Sequence, residues 1–514
     1  MYKNYSMNQL MLDIPTAYEP EENHPAYQIN QLVESLDFTD EYTTGRYPYH
    51  PRLLLKLVLF AYARGIRSGR MIERFADENK VAMWLTQGQV PSYRTINRFR
   101  VDGRMEHIIL EMFTKLREQL VAAGVIDDVV FIDGTKILAN ANKYSFVWRK
   151  NTIRFSELNK AKAVALLEEI KASQADFFHE ETELSFDDMD DVIARLEMHI
   201  DELDQAVEET KKVSPNPAKQ ERRTVKSQTR KLKEIRDKNE QYENQMGTFG
   251  NRNSYSKTDT DATFMRVKED PMMNGQLKPA YNVQAAVSNQ MVIGYDVFQN
   301  PTDTRTLIPL VKKMSDAGTL GSVVVADMGY GSEANYRFFE DEMPEVTALI
   351  PYNTMLREAS RKWRSDDSRV MNWSYDEKAD EYTDNDGVVF KWHNYSHRTD
   401  KNGMTRDFKV YRAEAKDENN QDIPAAYTKG GNVRQISINP SWEYQKARMR
   451  DSLSDETNAS IYARRKIENE PVFGRMKAHF GVGRFMVRGM RNVKIETGLV
   501  MMAMNMTKMA IMAG

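Results

Sequence analysis

The sequence predicts an α/β fold, a mixed sheet flanked by helices, with an N-terminal all-helical domain, a helical-hairpin insertion and a small β-rich insertion. Apolar residues recur three or four positions apart through 51–120, as they do in amphipathic helices. Two β-branched apolar runs end on Asp133 and Asp327, which is typical of buried strands. Charged or polar segments at 154–246 and 352–455 interrupt the strand-rich parts. A chain of 514 residues has room for two to four structural units.

The helices of the N-terminal region predict a helix-turn-helix that binds DNA. Ser92 follows Pro91 directly and suits the N-cap position of a helix. An ordinary helical bundle with a basic face would give the same pattern, so that alternative stays open. The helix that Ser92 begins presents side chains suited to DNA phosphates and base edges, namely Arg94, Thr95, Asn97 and Arg98.

The strand-rich segments occur in an order that describes a mixed sheet. AYNVQAAVS and QMVIGYDVF, separated by a short polar turn, predict a β-hairpin. TRTLIPLVKKMSDAG predicts a helix after the hairpin, and VTALIP predicts the last strand. The order strand, hairpin, helix, strand, helix, strand differs from the regular alternation of a doubly wound fold.

Two insertions are predicted between these elements. Apolar residues at alternating three- and four-residue steps, followed by a break at SPNP (214–217), predict an antiparallel helical hairpin that contacts a partner or DNA. Short alternating segments within 352–455 predict a small β lobe. His393 and His397 lie in one of them, but no further ligands stand at suitable spacing, so we predict no metal site there.

Composition limits the chemistry and the partners. The chain has no cysteine, so disulfides, cysteine zinc sites and thiol nucleophiles are excluded and a metal would need carboxylates or histidines. No signal peptide is recognisable, and Asn505 and Lys508 interrupt the apolar C-terminal run, so we expect a cytoplasmic protein without a membrane partner. Residues 46–117 hold 14 Lys and Arg against six acids, and 461–514 hold ten against three. Both segments suit an anionic polymer.

Asp133 and Asp327 are candidate metal ligands. Two acids at the tips of two strands in one sheet would repel each other unless a divalent cation neutralised them. Glu470 is the best candidate for a third ligand, with Lys466 and Lys477 beside it on one helical face. Pro471 disfavours helix at Glu470 and implies a kink or a new helix that begins at the proline. Taken singly, each aspartate suits a turn or cap, and the glutamate suits a lysine pair.

The chain resembles the insertion-sequence DDE transposases, and most closely their eleven-eighty-two-type group. The resemblance rests on four segments that span most of the chain in the expected order: FIDGTKILANANKYSFVWRK, AYNVQAAVS, VVVADMGYGS and YARRKIENEPVFGRMKAHFGVGRFMVRG. It implies an RNase H-like core, in which Asp133, Asp327 and Glu470 are the catalytic triad and coordinate two Mg²⁺ or Mn²⁺ ions. The cysteine pairs that relatives often have before the glutamate are absent here.

The resemblance also implies a Tyr-Arg-Glu-Lys signature, in which Tyr462, Arg465 and Lys477 hold phosphates at the transposon end. The spacing from Arg465 to Glu470 is one residue longer than the signature expects. Glu468 is therefore a competitor, although the EPVFG match favours Glu470.

The partners that this family implies are double-stranded DNA, as transposon ends and as target, and a second copy of the chain. The N-terminal helices would bind terminal inverted repeats, and a homodimer would form the synaptic complex in the bacterial cytoplasm, associated with the nucleoid. Two other functions remain open: a nuclease without strand transfer, and a catalytically silent DNA-binding regulator derived from a transposase.

The predicted boundaries follow these segments. The core is interrupted twice and closed by C-terminal helices that include Glu470. The predicted parts are an acidic segment at 1–45, a helical DNA-binding domain at 46–122, the first parts of the core at 123–150 and 257–351, a helical hairpin at 151–256, a β-rich insertion at 352–455, and C-terminal core helices at 456–514.

Overall fold

The structure is a computed structural model in which contacts divide the chain into two compact units. The first unit comprises Met1–Ile137 and Tyr281–Gly514, and the second comprises Leu138–Ala280. Most of the predicted acidic segment lies outside the described residues. The structure describes residues 19–38, 49–173, 186–210, 214–268, 273–401 and 403–514.

In the described part of the N-terminal region, six helices open the first unit, and those of 51–120 lie where the apolar periodicity predicts them. Nearly every residue of the second helix, α2, is buried. The last helix of the chain, α17 (Met490–Met512), packs on α1, α2 and α6 and buries most of its methionines. The helical segment therefore belongs to the same compact unit as the sheet. The six helices are α1 Pro25–Glu34, α2 Pro51–Ala63, α3 Gly69–Glu78, α4 Lys80–Thr86, α5 Tyr93–Phe99 and α6 Met105–Ala122.

The central sheet of the first unit is mixed, as predicted. Strand β1 is hydrogen-bonded to β5 on one side and runs parallel to β7 on the other, and β8 continues the sheet in parallel beyond β7. Strand β6 pairs with β5 as an antiparallel hairpin that turns at Asn289 and Gln290. The strands are β1 Val129–Leu138, β5 Leu277–Ser288, β6 Met291–Phe298, β7 Val323–Ala326 and β8 Thr347–Leu349.

Helices cover both faces of this sheet. On one face, Val130 and Ile132 of β1 share an apolar cluster with helices α10 (Leu307–Asp316) and α11 (Glu333–Glu342). On the other face, Phe131 packs beneath residues of α14 and α15. Successive residues of a strand point to opposite faces, which explains this alternation. The covering C-terminal helices are α14 Pro440–Ser454, α15 Glu456–Ala463 and α16 Arg465–Ala478.

A five-stranded antiparallel sheet with the order β13-β12-β11-β10-β9 occupies part of the predicted β-rich insertion. It has its own small core around Trp373, Phe390 and Tyr411. The predicted insertion extended to 455, but helix starts at Pro440, because Asn439 caps it by accepting a hydrogen bond from the Trp442 amide at 3.0 Å. The elements here are α12 Met355–Glu358, α13 Arg361–Arg364, β9 Ser374–Asp376, β10 Glu381–Thr383, β11 Val389–Thr399, β12 Thr405–Ala413 and β13 Gln435–Ile438.

The second unit is dominated by three long helices, whereas the sequence predicted a hairpin of two. Helices α8 and α9 pack together, and α7 packs on α9 as well. The additional helix has its own apolar repeat, including Leu166, Leu167 and Ile170, in the shared core. The elements are α7 Arg149–Ser173, α8 Met189–Glu209 and α9 Pro217–Phe249, with the short strands β2 Phe146–Trp148, β3 Ser254–Ser256 and β4 Thr263–Arg266. Across the described ranges, no helix is both long and apolar enough to cross a membrane.

Candidate active site

The register of the central sheet places Asp133 and Asp327 side by side. Strands β1 and β7 are parallel, and Ile132 is the register partner of Ala326. Each aspartate is the next residue along its own strand, so the two acids are neighbours where β7 ends. Asp133 follows Phe131 by two positions and therefore points to the face covered by α14 and α15.

Local hydrogen bonds fix the position of both carboxylates. Asp133 Oδ1 accepts a hydrogen bond from the Gly134 amide at 2.7 Å. Asp327 caps the turn that follows β7, since its Oδ1 accepts from the Gly329 amide at 2.8 Å. The strand register makes the two aspartates neighbours. Asp327 directly follows β7, as predicted, but β1 continues past Asp133 to Leu138, so the prediction that this strand ends at the acid is wrong.

A third acid, Asp303, lies near Asp133 and Asp327, because all three carboxylates act on the buried Tyr330. Burial raises the pKa of this tyrosine well above its ordinary value, so its hydroxyl remains protonated at neutral pH. Three carboxylates raise the pKa further, those of Asp303, Asp133 and Asp327. Asp303 lies in the turn before α10, and no sequence motif had marked it.

Tyr462 lies on the side of the sheet to which Asp133 points. It packs with Ile461 against the apolar cluster around Phe131. Burial raises the pKa of Tyr462, the Arg465 guanidinium opposes that rise, and the negative charge of Asp327 adds to it. Arg465 lies 6.0 Å from the Tyr462 ring. A tyrosine and an arginine therefore lie on this side of the sheet, with the tyrosine close enough to Asp327 to sense its charge.

Glu470 lies on helix α16, where its side chain is exposed. We expected Pro471 to kink the chain or begin a new helix, but α16 runs from Arg465 to Ala478 with the proline inside it. The possibility of a helix beginning at the proline is therefore wrong. The helix continues because Val472, Phe473 and Met476 on its inner face are buried in the core.

Glu468, the competitor to Glu470, already has partners. Its carboxylate accepts from the Gln290 amide at 2.6 Å and pairs with Arg464 at 3.2 Å. Gln290 lies in the β5–β6 turn, and Ser288 of the same hairpin contacts Asp127, which precedes β1. Glu468 is therefore held at the opposite end of β1 from Asp133.

The structure does not gather the three predicted acids into one group. Within the ranges that the structure describes, no set of three or more His, Asp or Glu side chains is arranged to hold a metal ion. Asp133 and Asp327 are neighbours, whereas the approach of Glu470 to them stays a prediction. On the same helix, Lys466 is exposed and Lys477 is partly buried.

Helix α5 presents most of the predicted DNA-binding residues to solvent. Ser92 Oγ accepts from the Thr95 amide at 3.4 Å, so the predicted N-cap is present. Arg94 and Arg98 are exposed and Thr95 is partly so. Asn97 is exposed too, but its Oδ1 accepts a hydrogen bond from Arg100 and lies against Gly69, which gives it a structural role.

The β lobe shows no site at its two histidines. His397 pairs across the strands with Asp407 at 2.7 Å on an exposed surface. Neither His393 nor His397 belongs to a group of potential ligands in the described residues. The expectation that this lobe lacks a histidine metal site stays a prediction.

Sequence reasoning missed Asn282 and Gln284, which are fully buried on β5. A signal was present, because two polar side chains interrupt an otherwise apolar strand, AYNVQAAVS. Buried amides need hydrogen-bond partners, and in this structure Asp303 supplies an acceptor that both share.

Two neighbouring aspartates on a mixed sheet, one within β1 and one directly after β7, define a candidate acidic active site in an α/β protein, with an arginine and a tyrosine on the same side. Comparison with family models identifies the class. Residues 252–506 match the Transposase DDE domain, and residues 15–102 match the Transposase domain (DUF772). Together these matches show that the chain contains transposase domains, one of them of the DDE type. No curated protein and no solved structure matches the chain.

Proposed function

We propose that this chain binds the terminal inverted repeats of an insertion sequence and catalyses metal-dependent cleavage and transfer of DNA strands, as in the eleven-eighty-two-type group. The observation that best supports the proposal is the register of Ile132 with Ala326, which makes the following residues, Asp133 and Asp327, neighbours. This pair belongs to a chain with a DDE-domain match.

The two aspartates fit a divalent metal. Carboxylate oxygens are the ligands that Mg²⁺ and Mn²⁺ prefer, and two adjacent carboxylates are stable together when a cation lies between them. We assign Glu470 as the third ligand, which completes the acidic set. When bound, two such ions would supply activation of the attacking oxygen and stabilisation of the leaving oxygen.

The cationic and phenolic residues around this pair would hold the DNA. Tyr462 and Arg465 lie on the side to which Asp133 points, where a scissile phosphate would lie, so they would orient it and offset its negative charge. Lys466 and Lys477 would bind neighbouring phosphates from the same helix. Because these residues follow one another on α15 and α16, they would hold the DNA backbone along one line.

Helix α5 would contact the terminal repeats. Its exposed Arg94 and Arg98 can reach phosphates or guanine edges, and Thr95 lies between them. A homodimer would bring two transposon ends together, and the second DNA partner would be the target duplex.

The test is a cleavage and joining assay with Mg²⁺ or Mn²⁺, using the inverted repeats that flank the gene as donor DNA and a plasmid as target. The proposal expects nicked ends first and joined product later. Nicks without any joined product would indicate a nuclease. Binding without cleavage by the wild-type chain would indicate a silent regulator.

The assignment of the third acid has its own matched test. Glu470→Gln should remove cleavage while unfolding like the wild type, because Glu470 is exposed. Glu468→Gln should instead destabilise the fold, because the carboxylate is buried and both its pair with the partly exposed Arg464 and its hydrogen bond at the β5–β6 turn are weakened. Wild-type cleavage by Glu470→Gln would show that the assignment is wrong.

A further inference from the structure

A connected layer of polar side chains lies directly behind the two aspartates. We call Asn282, Gln284, Asp303 and Tyr330 the polar layer. Gly134 neighbours Asp133 on β1 but faces the opposite side of the sheet. On that side it meets Gln284 and Asp303. The polar layer is therefore separated from the Asp133 carboxylate by the strand itself.

Asp303 is the acceptor at the centre of the polar layer. Its Oδ1 accepts from Asn282 Nδ2 at 2.7 Å and from Gln284 Nε2 at 3.0 Å. The Tyr330 hydroxyl donates to Gln284 Oε1. Asn282, Gln284 and Tyr330 are fully buried, so each of these hydrogen bonds satisfies a group that has no access to water.

The polar layer reaches the strand of Asp133 at Gly134. A Cβ at this position would lie 2.2 Å from Gln284 Nε2 and 3.0 Å from Asp303 Oδ1. Only glycine allows so close an approach of the two side chains to the backbone. The position of β1 next to Asp133 is thus set by contact with Gln284 and Asp303.

The same layer reaches the turn of Asp327. Thr304, next to Asp303, donates its hydroxyl to the Gly329 carbonyl at 3.0 Å. Asn335 Nδ2 donates to the carbonyls of both Thr304 and Tyr330, at 3.0 and 2.6 Å. The turn that contains Asp303 and the turn that follows Asp327 are therefore joined by one direct hydrogen bond and by Asn335, which donates to a carbonyl in each turn.

We propose that Asp303 is a positioning residue of the active site, which fixes Asp133 through Gln284 and Gly134 and fixes Asp327 through Thr304 and Gly329. It acts from behind the sheet and touches neither DNA nor the reacting atoms. The inference rests on the proposed function, since it assumes that Asp133 and Asp327 share divalent ions.

Two substitutions at position 303 distinguish the effect of the negative charge from the effect of the hydrogen bonds. Asp303→Ala removes one of the two acceptors from each buried amide, so β1 and the Asp327 turn lose their common support. Asp303→Asn keeps an acceptor oxygen and nearly the same shape, so it should restore most of the lost metal affinity. Asp316→Ala is the matched control, because Asp316 is exposed at the end of the neighbouring helix.

The primary readout is Mn²⁺ binding to the full chain without DNA, by calorimetry or electron paramagnetic resonance, together with the half-saturating Mn²⁺ concentration for strand cleavage. Losing a residue that orients metal ligands typically weakens metal affinity by about 10- to 100-fold. Asp303→Ala should fall in that range, and Asp316→Ala should match the wild type. Wild-type Mn²⁺ affinity in Asp303→Ala would overturn the inference.

A second variant covers the case in which Asp303→Ala fails to fold. Thr304→Val removes only the hydroxyl bond to the Gly329 carbonyl and should also weaken Mn²⁺ binding to the full chain without DNA. Wild-type Mn²⁺ affinity in this variant would overturn the inference. Because this inference is judged on Mn²⁺ binding and the proposed function on joined DNA, the failure of one is distinguishable from the failure of the other.

Discussion

A buried ion pair between Arg67 and Glu496 makes the first unit sensitive to the loss of either partner. The side chains are 6% and 2% exposed and meet at 2.9 Å. Arg67 also donates to the Gly481 carbonyl at 2.9 Å, and Glu496 accepts from the Met486 amide at 2.9 Å. The pair therefore fixes the loop between α16 and α17 onto the segment between α2 and α3.

Glu496→Ala should destabilise the unit by about 3 to 5 kcal/mol, because it leaves the Arg67 charge buried without its partner. Glu496→Gln should cost less, since it keeps an acceptor for the loop amides. The exposed pair of Arg74 and Glu78, at 3.9 Å and about two-thirds exposed on each side, is the matched control. Glu78→Ala should cost no more than about 1 kcal/mol.

Equilibrium urea unfolding of the full-length variants, followed by tryptophan fluorescence, measures these differences. The double variant Arg67→Met with Glu496→Leu adds a stricter test. It removes both charges together, so it should recover part of the loss seen in Glu496→Ala. If Glu496→Ala and Glu78→Ala unfold at the same urea concentration, the reasoning from burial is refuted.

Three further predictions concern the DNA and metal sites. Asp327→Ala should lose cleavage and joining but keep affinity for the terminal repeats, and loss of binding in a gel-shift assay would contradict this. Arg94→Ala combined with Arg98→Ala should lower the salt dependence of binding by about two phosphate contacts, whereas an unchanged slope of log affinity against log salt would exclude phosphate contacts there. Gly134→Ala should destabilise the fold by about 1 to 3 kcal/mol through overlap with the polar layer, and should weaken Mn²⁺ binding. Gly247→Ala is its control, since a Cβ there meets open space, and equal effects of the two changes would refute the steric argument.

The neighbouring positions of Asp133 and Asp327 could be predicted from the sequence because the relevant pattern is local. An apolar run that ends in an aspartate predicts a buried strand that leads to an acid, and neighbouring parallel strands then bring two such acids together. The register of Ile132 with Ala326 agrees with this reasoning, although β1 continues past Asp133 to Leu138, where the sequence predicted its end. The helices of 51–120 were predictable for the same reason, since their periodicity is a property of the segment alone.

The polar layer could not be predicted from the sequence because its contacts are tertiary. Asn282 and Asp303 lie 21 positions apart and meet only after β5 has paired with β6 and the chain has turned into α10. The two amides in β5 indicated that a buried acceptor was needed. Nothing in the sequence indicated which acid would supply it.

The choice between Glu468 and Glu470 shows the same division between local pattern and tertiary contact. Both glutamates belong to one short segment, and spacing alone left the two in competition. In the folded chain the inner face of α16 carries Glu468 to the β5–β6 turn, where an amide and Arg464 occupy its carboxylate. Glu470, two residues further, lies about 200° around the helix and is exposed. A carboxylate engaged in the fold cannot also bind a metal without breaking those contacts, so the contacts of α16 favour Glu470 over Glu468, and its role as third ligand stays a prediction.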